Sequence, residues 1–79
     1  MSGSKSLIET GDIFTFNGLV GSTQSAKRQV QVIGISVTGR LSFFMTVDGD
    51  AAGIAEIPYR EALGLMEENI WQYDGKVGS

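Results

Sequence analysis

Eleven glycines cut this 79-residue chain into short runs of branched and aromatic side chains. Such runs are too short for independent helices and rich in residue types that suit a pleated surface. The expected product is a set of short strands joined by glycine turns, which means a small sandwich or barrel. Residues 12–17 read as the first strand, with Phe14 and Phe16 on one face. A polar loop over 18–26 leads to a long second strand, 28–37. There Val30 and Val32 share one face while Ile33, Ile35 and Val37 share the other, so Gly34 marks a bulge or bend. After a turn at 38–40, residues 41–48 alternate well. Leu41, Phe43, Met45 and Val47 point inward; Ser42, Phe44 and Thr46 point outward.

A turn over 48–53 precedes a short strand, 54–57, which Pro58 stops. Proline suits a helix start. Tyr59, Ala62, Leu63, Met66 and Ile70 then fall at spacings of three and four, one face of a short helix or 3₁₀ turn. Residues 69–73 supply a closing strand. The fold class expected is mostly β, a small five-stranded barrel with one short helix or 3₁₀ turn before the last strand. Residues 1–8 and 75–79 read as tails around a single domain, 9–74. The core expected is Phe14, Phe16, Val30, Val32, Ile35, Val37, Leu41, Phe43, Met45, Val47, Ile57, Leu63 and Met66. A chain of this length buries only about 60% of the surface its unfolded form exposes. Association with a second chain would help it, and a homo-oligomer, a dimer first, is expected.

The chain has no cysteine and no histidine. That excludes disulfides, zinc sites built on thiolate or imidazole, cysteine nucleophiles and histidine-based triads. No cofactor and no metal are expected. No stretch approaches the roughly 18 apolar residues of a membrane span, and the start lacks the apolar run of a signal peptide. The cytoplasm is the expected setting. Net charge is −3, unevenly placed: residues 1–45 carry four cations against two anions, and residues 46–79 carry two against seven. This acidity argues against indiscriminate phosphate binding, though Lys27 and Arg28 make a local basic spot.

Three constellations suggest chemistry and give plainer readings. Asp48-Gly49-Asp50 lacks the further oxygen ligands of a calcium loop and reads as a hairpin turn. Gly18-Leu19-Val20-Gly21-Ser22 lacks the lysine of a phosphate cradle. Glu61, Glu67 and Glu68 read as a solvated helix face. Phe44 differs, because it stands among polar neighbours on the outward side of its strand. It is either an exposed anchor for a partner or a residue packed under another element. Trp71 and Tyr73 share that ambiguity, being types that suit interfaces.

Residues 20–33, Val20-Gly21-Ser22-Thr23-Gln24-Ser25-Ala26-Lys27-Arg28-Gln29-Val30-Gln31-Val32-Ile33, resemble the loop and second strand of the MazF/PemK family of endoribonuclease toxins. Gly11-Asp12-Ile13 is similar to the opening of that family's first strand, and Phe44-Met45-Thr46 to a strand ending in its functional threonine. Gln29 stands where the family carries a proline, and Thr23 where it carries a glutamate. The resemblance implies an SH3-like barrel, dimerisation and cleavage of single-stranded RNA, with Gln24 in the loop. Arg28 would neutralise charge on the reacting phosphate and Thr46 would assist it. The leading expectation is nevertheless a non-catalytic SH3-like module that binds a protein partner or itself, with Phe44, Trp71, Tyr73, Lys27 and Gln24 as binding residues. The ribonuclease is the first alternative. A ligand-binding homo-oligomer, with several barrels around one pore, is the second.

Overall fold

The structure, a computed structural model, describes residues 7–20 and 24–77, and of residues 17–20 and 24–26 the backbone alone. The elements run β1 (Asp12–Val20), β2 (Gln24–Ile35), β3 (Arg40–Val47), β4 (Asp50–Pro58), α1 (Tyr59–Glu67) and β5 (Gln72–Lys76). All pairings are antiparallel, in one sheet of order β4-β3-β2-β1-β5. β4 and β5 are its two edges and do not pair with each other. The mostly-β class and the single short helix are as the sequence pattern implies.

Strand lengths differ from that pattern in an instructive way. β1 and β2 stay paired from Ile13↔Gln31 to Val20↔Gln24, so residues 18–20 and 24–26 are strand rather than loop. Residues 21–23, part of the expected loop, lie outside the described residues. Small and polar side chains carry almost no periodic signal, whereas backbone N–H and C=O groups still pair wherever two strands continue side by side. β4 lengthens for the same reason. Its partner β3 is met at Val47↔Asp50, so the connection shrinks to Asp48-Gly49. Both residues have positive φ, 52° and 90°, the geometry of a tight hairpin that asparagine, aspartate and glycine tolerate best. The bend expected at Gly34 is present as a register shift between Val32 and Gly34.

The core lies between the inner sheet face and a cover made of α1 and the segment after it. Phe14, Val30, Val32, Leu41 and Phe43 rise from the sheet; Ala62, Met66 and Trp71 descend from the cover. Phe16, Met45, Ile57 and Leu63 pack at its margin. Ile35 and Val37, expected in the core, are 38% and 106% exposed. Ile35 is the last residue of β2, and Val37 lies beyond it in the turn that leads to β3; neither is among the residues packed on the core. Ile70 is likewise 47% exposed. α1 ends at Glu67, and Asn69, at φ 63°, reverses the chain, so the helical spacing that linked Ile70 to Met66 no longer applies.

Ile8 is buried in the core, although sequence reading assigned it to the N-terminal tail. Tyr59 holds it there. The Tyr59 hydroxyl accepts a hydrogen bond from the Ile8 N–H at 2.9 Å and donates one to the Ile8 carbonyl at 3.2 Å. At the other end, β5 continues through Gly75 and Lys76. The Val77 N–H closes on the Gly11 carbonyl at 2.8 Å. Among the described residues, no helix is long and apolar enough to cross a membrane.

Candidate functional site

One face of the sheet is committed to the core, and strand alternation sends every second side chain to the other. The registers align these outward residues into rows. Ile13 opposes Gln31, Gln31 opposes Phe44, and Phe44 opposes Ile54, a single row across β1 to β4. The row beside it runs Thr15, Gln29, Thr46, Ala51. Ile13, Gln29, Gln31, Phe44 and Thr46 line a shallow hollow of about 90 Å³ at the centre of this face.

The chemistry of the outer face is uniform. Its central positions carry hydroxyls, primary amides and apolar groups, with no formal charge. Charges begin at the rim, where Arg40 Nε donates to Glu56 Oε1 at 3.2 Å and Lys27 stands exposed near the β3–β4 turn. Phe44 is half-buried by its row neighbours, and Ile54 is 69% exposed. An aromatic centre within a polar rim is the pattern of protein interfaces. No element of the described chain covers it.

The residues proposed for phosphate chemistry are not brought together. Arg28 opposes Val47 and Gln29 opposes Thr46 in an unbroken register. Arg28 therefore leaves the sheet on the side of Phe16 and Val30, whereas Thr46 leaves it on the outer side. The sheet itself stands between them. The Arg28 Nε is buried with no hydrogen-bond partner among the described residues, and Phe16 lies directly across from it. Within one chain the guanidinium and the hydroxyl therefore leave the sheet in opposite directions.

The other expected binding residues also separate. Trp71 is a core residue, 4% exposed, and cannot present its ring to a partner. Its ring centroid lies 5.5 Å from Phe14, 5.5 Å from Phe43 and 6.3 Å from Phe16. Tyr73 on β5 is 39% exposed and meets Phe14 edge-on at 5.7 Å, away from the Phe44 row. Lys27 contributes to a wider hollow of about 380 Å³, with Thr15, Phe16, Asn69, Ile70 and Gln72. The side chain of Gln24 lies outside the described residues. Asp48, considered for a metal, accepts the Lys27 N–H on its Oδ1 at 3.0 Å and so locks β2 to the turn. No group of three metal-ligating side chains occurs among the described residues.

Sequence reading missed Ile13, Gln29, Gln31 and Ile54 as members of the face. Gln29 and Gln31 alternate with Val30 and Val32, which marks them as outward. Only the inter-strand register, however, sets them beside Phe44. Comparison of the chain with protein-family models, with curated proteins and with solved structures finds no match.

Proposed function

We propose that this chain is a small non-catalytic interaction module of SH3-like build, working in the cytoplasm and binding protein through its outer sheet face. The four-strand meander β1 to β4, with β5 returning after the helix to pair with β1, supports the SH3-like reading, with β4 and β5 as the margins of a partly open barrel. The binding reading rests on one observation: the charge-free row Ile13–Gln31–Phe44–Ile54, centred on a half-buried aromatic ring and covered by nothing in the described chain.

Phe44→Ser tests it. The substitution removes the central ring from a face that supports no core residue, so the variant should keep the wild-type circular dichroism spectrum. A wild-type bait should retain protein partners, or a second copy, that the folded variant releases. Affinity centred on one aromatic anchor falls by about tenfold or more on its removal. An unfolded Phe44→Ser protein would assign Phe44 to the core and end this reading.

The ribonuclease alternative predicts a different outcome. With Arg28 and Thr46 on opposite faces, a long single-stranded RNA should survive incubation with wild type and with Arg28→Ala equally. Cleavage by the wild type that Arg28→Ala abolishes would restore the enzymatic reading.

A further inference from the structure

The outer face has a property that narrows its partner: every polar group at its centre is both donor and acceptor. The amides of Gln29 and Gln31 and the hydroxyls of Thr15, Ser42 and Thr46 each offer both functions. Patches of lysine or glutamate repel their own copies, but these groups pair with themselves when a two-fold axis brings the same surface together. The apolar members, Ile13, Phe44 and Ile54, are equally self-compatible. For a chain of net charge −3 this matters, because the uncharged centre of this face lets two copies meet there without opposing like charges. We infer that the occupant of the outer face is a second copy of this chain, packed sheet to sheet about a two-fold axis near Gln31 and Phe44. The inference rests on the reading of this face as a binding surface and specifies its partner.

The size of the face sets the expected strength. Four strands about 4.8 Å apart, bearing some ten outward residues, fall below the roughly 800 Å² per partner of a standard stable interface. The dimer is therefore a reversible one, half-formed at about 10 μM to 1 mM, the range of small transient contacts. The Arg40–Glu56 pair and Lys27 at the rim restrict the relative rotation of the two sheets, since like charges must not be superposed.

Sedimentation equilibrium of the full chain up to about 2 mM tests the inference, the range being set by that expected affinity. Wild type should pass from monomer to dimer mass. Gln31→Lys places two like charges face to face across the axis and should weaken dimerisation by at least about tenfold, with partial recovery in about 1 M salt. Glu67→Gln makes the same change in net charge on exposed α1, away from the face, and should dimerise as wild type. A monomeric wild type throughout, a dimer indifferent to Gln31→Lys, or equal weakening by Glu67→Gln would each overturn the inference. Those results leave the reading of the face as a binding surface to the Phe44→Ser experiment, in which retention of a different protein by the wild-type bait and its release by the folded variant are read apart from self-association.

Discussion

Trp71→Ala should leave the chain largely unfolded or reduce its melting temperature by at least about 12 °C, from a loss of roughly 3–5 kcal/mol. The indole is 4% exposed and lies against the rings of Phe14, Phe16 and Phe43, so its removal opens a cavity where cover and sheet meet. Aromatic pairs of this kind contribute about 0.5–1.5 kcal/mol beyond area burial. A domain this small holds little reserve, because native stability is typically about 5–15 kcal/mol. Trp71 is the only tryptophan, which makes the check direct. Native fluorescence should be blue-shifted and poorly quenched by acrylamide, and should move to the exposed value on denaturation. Native emission matching that of the denatured chain would place Trp71 at the surface and contradict the core described above. Phe14 and Phe43 sit on neighbouring walls of the same cluster, so their alanine variants should not add independently to Trp71→Ala.

Asp12→Ala should cost about 2–3 kcal/mol, more than an outer-face substitution and less than loss of Trp71. Asp12 is fully buried at the start of β1. Its Oδ2 accepts the Glu9 N–H at 2.8 Å, and its own N–H donates to the Glu9 carbonyl at 3.1 Å. These bonds close the turn that carries Ile8 into the core. The Gly11 N–H fastens the turn to the Val32 carbonyl at 2.8 Å. Alanine leaves the part-buried Glu9 amide without its acceptor and loosens the whole segment. Asp12→Asn keeps an acceptor oxygen in place and should recover a large part of the loss. Chemical denaturation of the three proteins checks the order. Equal stability of Asp12→Ala and wild type would show that the turn holds without the carboxylate. Nearby, Lys76 bonds to the carboxylate of Glu9, which raises its pKa above the ordinary 10.5. That exposed pair closes the same corner from outside, where solvent screens it.

The two variants bear on different links between sequence and structure. Trp71 follows a helix and precedes a short strand, a position from which a ring can face either way. Its neighbours Ile70 and Gln72 show no alternation that would settle the direction. The reversal at Asn69 settles it by turning Trp71 under the cover and Ile70 out. Asp12 reads as an ordinary first residue of a strand, yet it is buried where the Glu9–Asp12 turn folds back at the start of β1. In both cases a contact from elsewhere in the chain outweighs local pattern.

Much of the fold was nonetheless legible. The alternation of Leu41 and Phe43 against Ser42 and Phe44 holds in the first half of β3, because one buried face imposes a period of two; Met45 only borders the core and Val47, expected inside it, lies beyond it. Gly34 announced its bulge, Pro58 ended β4, and the three-and-four spacing of Tyr59, Ala62 and Met66 marked α1. These signals are local: each depends on the geometry of a few consecutive residues. The sequence by itself thus determined the mostly-β class of the fold, the places near which its strands turn and the oily side of the central strands around Phe14, Val30, Val32, Leu41 and Phe43. Tertiary structure alone decided which outward residues from different strands stand side by side. It joined Ile13, Gln31, Phe44 and Ile54 into one row, and it parted Arg28 from Thr46 by a single step of register. That step changes the face of the sheet, and register is fixed by pairing across strands rather than by pattern within one.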